Sequence, residues 1–217
     1  MNKEYTHISM VIDRSGSMAT CWNDVVGGYE QIIKENKAAP GDCTFTVAAF
    51  DTEYDLVEDF TDIQNVDEKL KVNPRGGTAL LDAIGKTIVS VGEKFAKMKE
   101  VDRPAKVIML IQTDGEENSS KEFTKDAIKK LIDEHTNVWK WQFQFLGADL
   151  KSVNEAKSWG INAANSSVYS TANSLDTFTL LGTKMSAMRS AKTDLQYASC
   201  AAFSEEDKKV LNETKKV

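Results

Sequence analysis

Five consecutive apolar residues, Val107 to Ile111, constrain the fold more than any other stretch of this 217-residue chain. Successive side chains of a strand point to opposite faces, so an unbroken apolar run needs cover on both. Helices packed on the two sides of a parallel sheet provide that cover. The flanking segments read as such helices. Apolar residues at Leu81, Ile84, Ile88, Val91, Phe95 and Met98 recur in steps of three and four, which predicts an amphipathic helix. Trp22 to Lys37 repeats the pattern at Val25, Val26, Tyr29, Ile32 and Ile33, and Pro40-Gly41-Asp42 breaks it.

The remaining segments continue the alternation of strand and helix. Ile8 to Ile12 reads as a buried strand ending at Asp13. Cys43 to Phe50 and Tyr54 to Phe60 are β-rich runs joined by the short polar link Asp51-Thr52-Glu53, which predicts a hairpin with one antiparallel strand. Thr61 to Gly77 reads as a loop with one short helical turn. Ser119-Ser120-Lys121-Glu122 has the pattern of a capping box and predicts a helix carrying Phe123, Ala127, Ile128, Leu131 and Ile132. Trp139, Trp141, Phe143 and Phe145 alternate with Lys140, Gln142 and Gln144, as in a strand with one apolar face. A short helix over Lys151 to Trp159, closed by Gly160, and a short strand over Ser167 to Tyr169 follow. Leu175, Phe178, Leu181, Met185 and Met188 mark another amphipathic helix, and Ser204-x-x-Asp207 caps a last one to about Lys215. The expected class is α/β: a doubly wound, mostly parallel, Rossmann-like sheet with one antiparallel edge strand and helices on both faces. Residues 1–192 are expected to form the domain and 193–217 a C-terminal helical extension.

Composition narrows the function classes. A net charge of -6 argues against nucleic-acid binding, which draws on clustered Lys and Arg. The three cysteines, Cys21, Cys43 and Cys200, are widely spaced and form no Cys-x-x-Cys pair. Free thiols are expected rather than disulfides or a zinc cluster. The N-terminus lacks the apolar stretch of a signal peptide, and no run is long enough to span a bilayer. A cytoplasmic protein without membrane contact is expected.

In a doubly wound sheet, sites form beyond the carboxyl ends of the strands. Two expected strands end there in aspartate, Asp13 and Asp114. Asp13-Arg14-Ser15-Gly16-Ser17 precedes a helix, and alternate residues of a tight turn can aim a carboxylate and two hydroxyls at one point. Thr78 follows two glycines at another helix start. Three hydroxyls and two carboxylates form an all-oxygen set, suited to a hard cation such as Mg²⁺, Mn²⁺ or Ca²⁺.

Asp13-x-Ser15-x-Ser17, the threonine of Gly76-Gly77-Thr78-Ala79-Leu80, and Thr113-Asp114-Gly115 resemble the metal-ion-dependent adhesion site of the von Willebrand factor A family. The resemblance covers roughly residues 6–192 in the family's order and spacing, and looks closest to standalone A-domain proteins of bacteria and phages. It implies that Ser15, Ser17 and Thr78 bind the ion directly, and Asp13 and Asp114 directly or through water. One coordination position would stay open for an aspartate or glutamate of a partner protein. It also implies that the helix around Leu175 to Met188 is the one that shifts in some relatives.

Plainer readings stand beside these. Asp13 and Ser15 suit ordinary helix N-capping. Glu116 and Glu117 read as solvated loop charges or as acids ringing the ion, and Asp82 as a helix-surface or supporting group. Met18 and Trp22 read as an apolar rim for a partner, or Trp22 as core. His7 and His135 lack a second imidazole or thiolate at ligand spacing. A phosphatase of the haloacid dehalogenase type would need an acid at the position of Ser15, and no nucleotide-phosphate loop or Ser-His-Asp arrangement is evident. A non-enzymatic, metal-dependent interaction module is therefore expected. The alternative is a structural or assembly protein in which the metal serves stability only.

Overall fold

The computed structural model describes residues 1–170 and 174–212. Six strands form one sheet: β1 (Asn2–Asp13), β2 (Asp42–Phe50), β3 (Tyr54–Asp62), β4 (Pro104–Gln112), β5 (Gln142–Gly147) and β6 (Ser166–Val168). Their order is β3-β2-β1-β4-β5-β6. All neighbours run parallel except β3, which pairs antiparallel with β2 at the edge. The chain reverses its winding between β1 and β4, the topological switch point where such sheets open a crevice.

The apolar run in β4 divides as its pleat requires. Ile108 and Leu110 join one core with Ile8, Met10 and Ile12 of β1. Val107, Met109 and Ile111 join the other, with Val11 of β1 and Phe143 and Phe145 of β5. Helices α1 (Trp22–Ala38), α5 (Ser174–Ser190), α6 (Asp194–Ala201) and α7 (Glu205–Asn212) cover the first face. Helices α2 (Leu80–Lys97), α3 (Lys125–Asn137) and α4 (Leu150–Ser158) cover the second. The last two helices are anchored: Tyr197 Oη donates to Val107 O at 2.6 Å, and Phe203 and Leu211 are buried in the first core. The part of the expected last helix beyond residue 212 lies outside the described residues. Among the described residues no helix is long and apolar enough to cross a membrane.

Two local readings are corrected. Ser119–Glu122 forms no capping box; α3 starts at Lys125 behind Thr124, whose hydroxyl accepts from Ala127 N at 3.2 Å. The backbone N–H groups of Ser119 and Ser120 bond instead to the nearby Glu117 carboxylate, and those of Lys121 and Glu122 to the distant Asp82, so the segment is held as a loop. Trp139 does not lie on a strand. Lys140 adopts a left-handed conformation (φ 60°), which turns the chain out of α3, and β5 begins only at Gln142.

Candidate metal centre

Strand β1 ends on Asp13, which is fully buried. Its Oδ1 accepts from Ser15 N at 2.7 Å, so the carboxylate folds back over the turn that follows. A single 3₁₀ segment, Gly16–Thr20, then leads into α1. This turn sets the Ser15 and Ser17 hydroxyls 3.1 Å apart. Ser17 Oγ donates to Asp114 Oδ1 at 2.8 Å, across from the end of β4. The third loop runs alongside the first: Arg75 N donates to Arg14 O at 2.7 Å and Gly16 N to Gly76 O at 3.1 Å. Gly76 has φ 66°, a conformation that favours glycine and lets the backbone turn to deliver Thr78. A Cβ on Gly115 would lie 3.3 Å from Thr78 Oγ1 and 3.8 Å from Ser17 Oγ. Gly115 therefore separates two hydroxyls that face the same small space. All five residues singled out in the sequence come together at the carboxyl edge of the sheet.

Among the described residues no Lys, Arg or His forms an ion pair with Asp13 or Asp114. Burial pushes the Asp13 carboxyl up to about 6, against hydrogen bonds from Thr113 and Ser15 that lower it. Burial raises Asp114 as well, opposed by the Ser17 hydroxyl. The nearest arginines in sequence are engaged elsewhere. Buried Arg14 lies 3.0 Å from Asp51 and 2.6 Å from Asp55, and Arg75 lies 2.7 Å from Asp51 and 2.5 Å from Glu53. A buried carboxylate costs several kcal/mol unless a charge compensates it (roughly, for ions in protein interiors). An all-oxygen set of two acids and three hydroxyls around such a carboxylate fits a divalent cation supplied from outside. Among the described residues no group of three or more His, Cys, Asp or Glu could hold a metal, so any ligand set here depends on the hydroxyls.

The sequence left Asp82 as a helix-surface or supporting group, and the structure makes it a support, together with Thr113, Glu117 and Asn118. Thr113 is fully buried and donates to Asp13 Oδ2 at 2.5 Å, fixing that carboxylate from β4. Asp82, in the first turn of α2, accepts from the backbone N–H groups of Lys121, Glu122 and Phe123 at 2.8, 2.9 and 2.8 Å. Those donors hold its carboxyl below the usual range against the opposing effect of burial. Glu117 accepts from Ser119 N, Ser120 N, Ser120 Oγ and Leu81 N, and Asn118 Oδ1 accepts from Thr78 N at 2.9 Å. Together these bonds fasten the loop bearing Asp114 to the start of α2. Glu117 is thus neither a solvated charge nor directed to an ion. Glu116 pairs with Lys151 on the surface. An acid in a first helical turn is the only local signal, and it does not distinguish capping its own helix from clamping a loop.

The expected apolar rim is corrected. Met18 is fully buried and Trp22 is 9% exposed, and both belong to the core beneath α1. Trp22 Nε1 donates to Val72 O at 3.2 Å, which ties the long loop before Thr78 to α1. Leu150, at the start of α4 beyond the carboxyl end of β5, is 70% exposed.

No protein-family model and no curated protein matches the sequence. Solved structures do match, and they show the fold to be that of von Willebrand factor A domains. A von Willebrand factor type A protein from Catenulispora acidiphila aligns over 84% of this chain and 43% of its own, at 14% identity and a TM-score of 0.60. Proximal thread matrix protein 1 from the mussel byssus, solved with a zinc-occupied metal-ion-dependent adhesion motif, aligns over 90% of this chain and 46% of its own, at 18% identity and a TM-score of 0.56. The manganese-loaded TRAP protein of Plasmodium vivax aligns over 82% and 75%, at 12% identity and a TM-score of 0.55. The chain spans less than half the length of the first two.

Proposed function

We propose that this chain is a metal-dependent protein-binding module of the von Willebrand factor A type. Asp13, Ser15, Ser17, Thr78 and Asp114 would hold one Mg²⁺, with Mn²⁺ or Ca²⁺ able to compete. One observation carries the reading: Asp13 is a fully buried carboxylate with no cation among the described side chains around it, set beside three hydroxyls and a second acid. A bound divalent ion would supply a position for an incoming carboxylate. The chain's own residues do the rest. Neutral hydroxyl ligands leave the ion's charge largely uncancelled, so an aspartate or glutamate of a partner is favoured. Thr113 and the Asp82 and Glu117 clamp hold the two acids in place, and Ser17 is exposed beside half-buried Asp114, where a partner can reach the site. On this reading the site binds rather than catalyses, residues 1–192 form the module with 193–217 as its C-terminal helical extension, and the protein is a cytoplasmic one of a bacterium or phage.

The test has two parts. Calorimetry should show one Mg²⁺ or Mn²⁺ per chain, with binding lost in Asp114→Ala. Capture of a partner in magnesium should fail in EDTA and in Thr78→Ala, which removes a hydroxyl at a loop while the fold persists. Metal bound with wild-type affinity by Asp114→Ala would refute the ligand set. Equal capture of the same partner in EDTA would leave the metal a structural role only.

A further inference from the structure

A cavity of about 490 Å³ opens at the amino-end pole of the sheet, where β4 begins and α2 and α3 end. That size lies within the roughly 300–1,000 Å³ of small-molecule sites, which are mostly apolar with a few placed polar groups. The walls here are aromatic: Phe95 from the last turn of α2, His135 from the last turn of α3, and Trp139 and Trp141 beyond it. Phe95 and Trp141 meet edge to face with centroids 5.8 Å apart, and His135 and Trp141 at 4.5 Å. Trp139 is 48% exposed, which leaves indole surface to cover a ligand. The charged lining is balanced. Glu100 and Glu134 are joined there by Arg103 and the Met1 ammonium, two charges of each sign.

One polar atom of the wall is unmet. His135 Nδ1 lies 2.7 Å from Leu131 O, and a carbonyl only accepts, so Nδ1 carries the proton. In the neutral ring Nε2 is then an acceptor, and among the described residues it has no hydrogen-bond partner. It lies towards Gly92 of α2, 3.8 Å from where a Cβ on that residue would stand, and no other atom lies within 4 Å of that point. Gly92 lines the cavity inside a helix, where glycine is a poor former. Its backbone is not left-handed, and no neighbour is close enough to exclude a side chain. What the missing side chain provides is open space before the imidazole.

We propose that this cavity binds a neutral, planar aromatic molecule carrying one hydrogen-bond donor, such as a phenol. The donor would meet His135 Nε2, and the ring would lie among Phe95, Trp139 and Trp141. Each property of the ligand has its own cause. The aromatic walls set the body, since rings gain from edge-to-face and offset contact beyond simple burial. The unmet imidazole nitrogen sets the donor. The balanced lining sets neutrality, because neither sign of net charge finds an excess of the other. The site shares no residue with the candidate metal centre, so the two readings stand or fall separately.

Calorimetric titration of 2-naphthol into the full chain at pH 8 in EDTA tests the proposal. Saturable one-to-one binding is expected. 2-Methoxynaphthalene, which keeps the rings and lacks the donor, should bind about five- to tenfold more weakly, the worth of one hydrogen bond. His135→Phe keeps a ring in the wall and removes the acceptor, so it should bind the two ligands equally. Gly92→Leu puts a good helix former into the open space, so it should bind neither ligand while the melting temperature does not fall. Absence of saturable 2-naphthol binding would overturn the proposal. So would equal affinity of the unaltered protein for 2-methoxynaphthalene, tighter binding of 2-naphthoate or 2-naphthylmethylammonium, a preference kept by His135→Phe, or binding kept by Gly92→Leu.

Discussion

Replacing Asp82 by alanine should destabilise the protein by about 3 kcal/mol and loosen the loop that carries Asp114. The carboxylate is 7% exposed and receives three backbone N–H groups at 2.8–2.9 Å. Hydrogen bonds to a charged group contribute about 1.5–3 kcal/mol each. The full sum is not lost, because the freed N–H groups of Lys121, Glu122 and Phe123 are only partly buried and water can reach them. Asparagine separates charge from shape. Its Oδ1 can still accept from Glu122 N and Phe123 N, but its amide nitrogen would face Lys121 N, donor against donor. Asp82→Asn should therefore cost less, about 1.5–2 kcal/mol, between one lost bond and one unsatisfied donor. In a domain of this size each kcal/mol lowers the melting temperature by about 2–4 °C. Thermal and urea unfolding measure the loss, and amide hydrogen exchange locates it. Protection should fall first across residues 114–123, and metal affinity should fall with it. An Asp82→Ala protein within about 0.5 kcal/mol of wild type, the ordinary range for surface changes, would refute the clamp. So would an asparagine variant as damaged as the alanine one.

Three further outcomes follow from the packing. Burial pushes the His7 imidazole down to about 3 from 6.5, so the folded state refuses a proton that the unfolded state accepts. Its contribution to stability is complete above pH 6.5 and is lost as pH falls towards 3, at up to about 1.4 kcal/mol per pH unit. In EDTA the Asp13 carboxyl, at about 6 rather than 3.8, titrates with the opposite sign, adding stability as pH falls through 6. His7→Gln should flatten the first slope and Asp13→Asn the second in urea unfolding followed from pH 7 to 4; unchanged slopes would refute both assignments. Gly28→Ala would place a Cβ 1.9 Å from Cδ2 of buried Phe178 on α5. Overpacking of about 1–3 kcal/mol should outweigh the helix propensity gained, about 1 kcal/mol, and a stabilised variant in denaturant unfolding would show that α1 and α5 do not pack this closely.

The sequence by itself determined the layers and which residues meet in the candidate site. Periods of two and of three to four, and the doubly apolar run in β4, dictate a covered parallel sheet, because burial must be arranged on fixed faces. Asp13, Ser15 and Ser17 were legible because their geometry is local: one turn aims all three. Thr78 and Asp114 were legible because each ends or begins an element at the same sheet edge. Tertiary structure decided what local pattern leaves open. Ser119-Ser120-Lys121-Glu122 looks like a helix start, yet Ser120 Oγ accepts from Asp82 N and the Lys121 and Glu122 N–H groups go to the Asp82 carboxylate, partners that only the fold brings near. Asp82 looks like an ordinary first-turn acid, yet its partners lie about 40 residues away in sequence. Met18 and Trp22 sit next to exposed Ser17, but the 3₁₀ turn rotates them into the core. Trp139 and Trp141 alternate like strand residues, but the left-handed Lys140 parts them, leaving one buried and the other open at the far pole. Periodicity records which residues want burial; it carries no record of which distant donor, acceptor or turn will meet them.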